Sequence, residues 1–127
     1  MKREVDLKDE IIALLTRHQS KLRGEMREIA DGIVGLESLQ SDQLEALRRR
    51  IHTMKGSSGT LGYASIQHAA NALEQGLSLY QKEAASAGAL SELHGLTLRL
   101  GAAVAEARIE DSTLLQRADD FQRPIPS

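Results

Sequence analysis

The chain has 127 residues, enough for one domain with a real core. Its aromatic content of 2% leaves leucine, alanine and isoleucine to fill that core, which favours packed helices over sheets. The formal net charge of −2 argues against binding to nucleic acid or to anionic membranes, and no apolar run approaches the ~20 residues of a membrane span. The absence of cysteine excludes disulfides and thiolate metal sites, and the charged N-terminus lacks the apolar stretch of a signal peptide, so we expect a cytoplasmic protein.

The first stretch of the chain has the periodicity of a helix with one buried face. Its apolar residues recur at steps of three, four and seven between Leu7 and Leu36, and His18 falls on the same stripe. Asp6 is a suitable N-cap for this helix. Gly24 leaves two possibilities open, one long helix or two shorter helices in sequence.

Three further segments show the same pattern, separated by short connections. The second helix is predicted to begin near Ser41 or Asp42, either of which is a good N-cap, and Gly62 breaks its pattern. The third is predicted to start near Ser65, and the stretch KEAASAGA (Lys82 to Ala89) is predicted to form the next turn. The apolar stripes are Leu44, Leu47, Ile51, Met54 and Leu61 in the second helix, Ile66, Ala69, Ala70, Leu73, Leu77 and Tyr80 in the third, and Leu90, Leu93, Leu96, Leu100, Val104 and Ala107 in the fourth.

Four amphipathic segments without any strand pattern predict an all-α fold. We expect an antiparallel four-helix bundle with an additional N-terminal helical segment. The periodicity weakens after Ile109, and Pro124 and Pro126 end any helix in the last stretch. The predicted bundle therefore occupies residues 1–110, and a tail or linker occupies residues 111–127.

One stretch of the second helix, IHTMKGSSGT (Ile51 to Thr60), combines a histidine with poor helix formers. Ile51 lies on the buried stripe, so His52 is rotated by ~100° from it and lies at the edge of the packed face, within reach of solvent. The side chains around it are basic or small: Arg48, Lys55, Gly56, Ser57 and Gly59. This pattern predicts a flat, accessible and positively charged surface around the histidine.

Such a surface suits a histidine that is approached closely and carries an anion. A neutral imidazole is a nucleophile at physiological pH. The Lys55 ammonium would balance a phosphoryl group placed on the ring of His52. The small residues one turn further along would let the surface of a partner come within bonding distance.

Glu74 is the candidate partner of His52 on the third helix. It follows the buried Leu73 as His52 follows Ile51, so both lie one step off the core. Both are also at a similar distance from the chain reversal, so an antiparallel pair of helices would place them at nearly the same level. A carboxylate accepting the Nδ1 hydrogen would fix the tautomer and leave Nε2 free to attack.

The stretch HTMKGSSGTLG (His52 to Gly62) resembles the signature of histidine-containing phosphotransfer (HPt) domains, and the resemblance continues through YASIQHAANALE (Tyr63 to Glu74). It implies that His52 is the phosphorylation site and that Lys55 and Gly56 are its partners. In this family a phosphoryl group passes between the histidine and an aspartate of a receiver domain, and the receiver supplies Mg²⁺. We therefore expect no cofactor on this chain.

The resemblance implies a relay intermediate. The sequence contains no glycine-rich phosphate loop and no ATP-binding signature, so we do not expect the chain to make its own phosphoryl donor. The expected partners are a response-regulator receiver domain and a histidine kinase or hybrid kinase. We expect the chain to act as a monomer or as part of a larger multidomain protein. The residues assigned to receiver docking are Arg48, Gly56, Ser57 and Gly59.

Two other functions stay open from the sequence. The phosphoacceptor domain of a chemotaxis-type histidine kinase shares the fold and much of the motif, and a helical adaptor could bind a partner through the same surface without phosphorylation. None of the four histidines has a glutamate three residues before it, as di-metal bundles require, so no metal site is predicted. His18 is predicted to be partly buried, and His68 and His94 to lie on the surface.

Overall fold

A computed structural model describes residues 7–82 and 87–122, and within these ranges the chain forms helices and no strand. These two ranges contain five α-helices: α1 (Leu7–Val34), α2 (Ser41–Thr60), α3 (Ala64–Lys82), α4 (Ala87–Glu106) and α5 (Thr113–Gln122). Short 3₁₀ turns at Leu36–Ser38 and Ile109–Asp111 lie in two of the connections. The predicted all-α fold is confirmed.

The helices α1 to α4 form a closed bundle in which each helix packs against two neighbours. Gly32 of α1 approaches Leu47 of α2, whereas Glu25, earlier in α1, pairs with Arg50, later in α2, so these helices run in opposite directions. Each leucine or isoleucine removed fully from water contributes about 1.5–3 kcal/mol. The largest fully buried apolar side chains are Leu15, Ile29, Ile33, Ile51, Ile66, Leu73, Leu77, Leu93 and Leu100.

The first helix is continuous through Gly24, which settles the choice between one helix and two. Its 28 residues span ~42 Å, against ~30 Å for the 20 residues of α2, so α1 extends beyond the bundle at its N-terminal end. Ile11 in this extension is buried, and Lys8 forms an ion pair with Asp119 of α5 at 2.7 Å. The predicted N-terminal helical segment is therefore the first part of α1. The predicted cap Asp6 lies outside the described residues.

The start of α2 at Ser41 agrees with the prediction, whereas the identity of its N-cap does not. Gln40, rather than Ser41 or Asp42, is the N-cap, and its backbone N–H donates to Oε1 of Gln43 at 2.8 Å. The carboxylate of Asp42 accepts from the Gln43 N–H at 2.9 Å. Backbone donors at the helix start are thus satisfied by the amide and carboxylate of the first turn, which a list of preferred capping residues does not anticipate.

Residues 111–127 were predicted to form a tail or linker, and the structure differs for part of this segment. Residues 113–122 form α5, which packs against α1 and buries Leu115 and Ala118. The helix has only 10 residues, so its apolar stripe extends over few turns. It is stabilised by the apolar side of the extended α1, which lies far away in the chain. Pro124 and Pro126 lie outside the described residues.

The start of α5 holds the turn between α2 and α3. The hydroxyl of Ser112 donates to the carbonyl of Leu61 at 2.5 Å and accepts from the N–H of Leu115 at 3.2 Å. The N–H of Thr113 donates to the carbonyl of Gly62 at 3.0 Å. Gly62 has a φ of +86°, and a Cβ built on it would lie 2.6 Å from the backbone nitrogens of Thr113 and Leu114. The turn therefore requires glycine both for its conformation and for its packing.

We predict that Gly62→Ala destabilises the protein by about 2 kcal/mol or more, because a Cβ in the left-handed conformation costs ~1–2 kcal/mol and the clash with α5 adds to it. Urea unfolding measures the change. The matched control is Gly24→Ala, since a Cβ at Gly24 meets nothing within 4 Å and alanine should stabilise the helix by ~0.5–1 kcal/mol. Equal stabilities of the two variants would show that neither the conformation nor the packing of this turn requires glycine.

Candidate functional site

His52 lies on the exposed edge of α2, one residue after the fully buried Ile51. Its side chain is 59% exposed, and its Nδ1 atom lies 2.9 Å from Oε2 of Glu74 on α3. The matched offsets of the two residues from their core stripes predicted this proximity. Since the ring is open to solvent on its other side, a partner molecule can reach it.

Glu74 is the most enclosed charged group of the site, with a side chain that is 12% exposed. Its Oε1 accepts from the Lys55 ammonium at 2.8 Å, and its Oε2 accepts from His52 and, at 3.5 Å, from Arg48. Burial alone would raise the pKa of Glu74. The hydrogen bonds from Lys55 and His52, together with their attraction, outweigh burial and hold the pKa below its usual value. Glu74 is therefore ionised at neutral pH.

The charge of Glu74 decides which tautomer of His52 fits the site. An ionised carboxylate can only accept hydrogen bonds, so the neutral imidazole must carry its proton on Nδ1 to make the 2.9 Å contact. The lone pair is then on Nε2. Because the ring is held by one well-placed bond and remains exposed, the arrangement presents a nucleophilic nitrogen at the surface.

Lys55 lies one turn after His52, as predicted, but its ammonium is directed towards α3. Besides the ion pair with Glu74, it donates to Oδ1 of Asn71 at 3.3 Å, and its side chain is only 26% exposed. In this state Lys55 neutralises the carboxylate. To balance a phosphoryl group on His52 it must exchange these partners for the new anion.

Arg48, assigned to docking from the sequence, is also held by an acid that the sequence reasoning did not consider. Its Nε and Nη2 atoms donate to the two oxygens of Glu45 at 3.1 and 2.7 Å, a bidentate contact within α2. Arg49 lies 3.8 Å from the same carboxylate. The positive surface predicted around His52 is thus partly neutralised by Glu45, whose pKa is lowered chiefly by the hydrogen bond from Arg48.

The three small residues assigned to docking differ in their surroundings. Gly56 is exposed, and a Cβ added to it would meet nothing within 4 Å. At Gly59 a Cβ would lie 2.5 Å from Nε2 of Gln67, so this glycine lets a side chain of α3 lie across α2. Ser57 lies ~140° around the helix from His52 and donates to the carbonyl of Met54 at 3.4 Å. Its position is in the groove between α1 and α2, away from Glu74.

Sequence reasoning missed Glu45, Gln67 and Asn71. On α3, the polar residues Gln67, Asn71 and Glu74 are spaced by four and three, the pattern of one helix face, and this face meets α2. This spacing could have indicated, from the sequence alone, that α3 has a polar face. Glu45 is three residues before Arg48, which is also the spacing of an ion pair on a helix.

The other histidines lie where the sequence predicted. His68 and His94 are exposed, and His18 is partly buried with its ring stacked on Tyr63, the centroids 6.1 Å apart. Burial, with the nearby charge of Lys21, lowers the pKa of His18, so it stays neutral at pH 7. Within the described ranges, no group of three or more histidine, aspartate or glutamate residues could hold a metal ion.

Comparison with known families agrees with this geometry. The model of the Hpt domain family matches residues 7–111 of the chain. The chain belongs to the Hpt domain family. Hpt domains transfer phosphoryl groups in two-component signalling and interact with kinases and receiver domains. Searches of curated proteins and of solved structures found no match.

The Hpt match contains the whole candidate site and the bundle α1 to α4, and it confirms the family resemblance of the His52 motif. The helix α5 lies beyond the match, although its first residues contact the turn that follows α2. No helix within residues 7–82 and 87–122 has the length and apolarity needed to cross a membrane.

We predict that the neutral ring of His52 is protonated mainly on Nδ1 in the wild-type chain. In Glu74→Ala the acceptor is lost, so the proton should move largely to Nε2, the form that an isolated histidine side chain favours. Long-range ¹H–¹⁵N NMR correlations of the ring distinguish the two tautomers. The control is Glu25→Ala, which removes a carboxylate that pairs with Arg50 on another side of α2 and should leave the tautomer unchanged. A wild-type ring protonated mainly on Nε2 would contradict the account.

Proposed function

We propose that this chain relays a phosphoryl group through His52, receiving it from an aspartyl phosphate of a receiver domain or from a histidine kinase and passing it to the aspartate of a receiver domain. The observation that carries the proposal is the contact between the Nδ1 of His52 and the enclosed carboxylate of Glu74, with the ring otherwise exposed. A histidine held in this way suits repeated attack on phosphorus by Nε2.

The proposed transfer forms one bond to phosphorus and breaks another. The lone pair on Nε2 forms a bond to phosphorus, the bond between phosphorus and the aspartyl oxygen of the partner breaks, and its electron pair remains on the aspartate carboxylate. The proton stays on Nδ1, so the ring becomes a positively charged phosphoimidazolium. Glu74 stabilises this developing charge at 2.9 Å, which is an electrostatic contribution that is already in place before the reaction. The reverse step returns the phosphoryl group to a receiver aspartate.

The partner would supply the remaining parts of the reaction. Mg²⁺ bound by the acidic site of a receiver would neutralise the phosphoryl oxygens. On this chain, the flexible stem of Lys55 lets its ammonium turn from Glu74 to the phosphoryl group. The contribution of such a partly exposed ion pair is ~1 kcal/mol or less, so Lys55 is a helper rather than an essential group.

Gly56 favours close approach of the partner. Its Cβ position is open and exposed, so the packing of the bundle does not require glycine there, and glycine costs ~1 kcal/mol relative to alanine inside a helix. A side chain at this position would project beside His52. We therefore assign Gly56 to the docking surface, whereas the packing of Gln67 on Gly59 accounts for the second glycine without a partner.

We predict that His52→Gln folds normally and accepts no phosphoryl group, since the position is exposed and the change leaves the core intact. The assay incubates the chain with a receiver domain, acetyl phosphate and Mg²⁺, followed by intact mass spectrometry. The matched control is His94→Gln, another exposed histidine, which should be labelled as the wild type is. Labelling of His52→Gln would contradict the assignment, and an unlabelled wild-type chain with several receivers would favour the adaptor function.

We predict that Gly56→Gln slows transfer from the receiver by about 10- to 100-fold, because a displacement of ~1 Å between reacting atoms is enough for such a loss. Its thermal stability should be equal to or above that of the wild type. The control is Gly95→Gln on α4, an equally exposed helical glycine with an open Cβ position, which should transfer at the wild-type rate. An unchanged rate in Gly56→Gln would show that the open surface is not what this glycine provides.

A further inference from the structure

The ammonium of Lys55 has two acceptors on α3, the carboxylate of Glu74 and the amide oxygen of Asn71. It lies 2.8 Å from Oε1 of Glu74 and 3.3 Å from Oδ1 of Asn71. Asn71 is three residues before Glu74, on the same face of α3, and is itself partly buried. Asn71 and Glu74 therefore both bind the ammonium, which lies between α2 and α3.

The chemistry of the contact fixes how Asn71 is oriented. A lysine ammonium can only donate, so the asparagine must present its carbonyl oxygen to Lys55. A long lysine side chain loses much conformational freedom when it is held, and it usually extends into solvent at an exposed edge. Here it is directed inward and is 26% exposed. The second acceptor thus helps to keep Lys55 away from the open side of His52.

We propose that Asn71 is a positioning residue that acts through Lys55 and sets the lifetime of the phosphoryl group on His52. This inference rests on the proposed function. Before phosphorylation, Asn71 and Glu74 hold the Lys55 ammonium. A phosphoryl group on Nε2 competes with them for the same ammonium, and the ammonium stabilises it. A firmer hold by α3 makes the phosphohistidine shorter-lived, and a weaker hold makes it longer-lived.

The neutral amide of Asn71 suits a relay, in which the phosphoryl group has to be both accepted and released. At 3.3 Å it holds Lys55 more weakly than a second carboxylate would, so the ammonium can still leave. Without any acceptor at this position, Lys55 would be shared only between Glu74 and the phosphoryl group. The amide of Asn71 therefore binds the Lys55 ammonium with a strength between that of a carboxylate and that of no acceptor.

The test compares Asn71→Leu, which keeps a similar volume and removes the acceptor, with Asn71→Asp, which keeps the shape and adds a charge. His52 is phosphorylated directly with phosphoramidate, and the decay of the label is followed by ³¹P NMR. We expect the lifetime to rise by about two- to fivefold in Asn71→Leu and to fall by a similar factor in Asn71→Asp. The control is Gln75→Leu, which removes an exposed amide beside the same residues and should leave the lifetime unchanged.

Two further measurements separate positioning from simple packing. In the unphosphorylated chain, the ¹H–¹⁵N signal of the Lys55 ammonium should exchange faster with water in Asn71→Leu and remain protected in Asn71→Asp. In a Lys55→Ala background, Asn71→Leu should no longer change the lifetime, because the residue through which it acts is gone. The same lifetime change in that background, or lifetimes equal to the wild type in both Asn71 variants, would overturn the inference while leaving the proposed function intact. A wild-type chain that takes no label on His52 would overturn both.

Discussion

The site depends on one enclosed carboxylate. Glu74 is 12% exposed, and a carboxylate removed from water is costly unless cations and hydrogen-bond donors compensate for it. All the compensating groups come from α2: His52, Lys55 and Arg48. This requirement fixes the level of α3 against α2 and orients the imidazole at the same time. The geometry that binds Nδ1 of His52 and leaves Nε2 exposed is therefore a consequence of compensating an enclosed charge.

The packing of α2 explains how this helix can contain residues of low helix propensity. Its buried side, which includes Ile51, Met54 and Ser58, packs in the core, and α1 and α3 hold it from both sides. Most helical stability in proteins comes from such packing rather than from propensity. Gly59 is accounted for by the side chain of Gln67 that lies across it, whereas Gly56 has no contact that excludes a larger residue. The packing of the bundle therefore does not account for the glycine beside His52, and we assign it to close approach of a partner.

The sequence predicted the features that follow from the geometry of a helix and from the antiparallel arrangement of two helices. The step from Ile51 to His52 placed the histidine at an edge, and matched offsets and heights placed Glu74 opposite it, as the structure has them. The direction of Lys55 was not predictable in this way, because a flexible side chain chooses among acceptors that only the packed helices bring together. The same holds for α5, whose short apolar stripe packs against α1, a helix far away in the chain. Its Ser112 then reaches the turn after α2, a contact that spacing along the chain does not indicate.

We infer that Glu74 binds Nδ1 of His52 and leaves Nε2 as the atom to be phosphorylated. The most direct test is a ¹H–³¹P correlation spectrum of the chain after phosphorylation. Nε2 is bonded to both Cδ2 and Cε1, so a phosphoryl group on Nε2 couples to the hydrogens of both carbons, whereas one on Nδ1 couples to the Cε1 hydrogen alone. We expect coupling to both ring hydrogens of His52. Coupling to the Cε1 hydrogen alone, or a phosphorus signal that belongs to another residue, would contradict it.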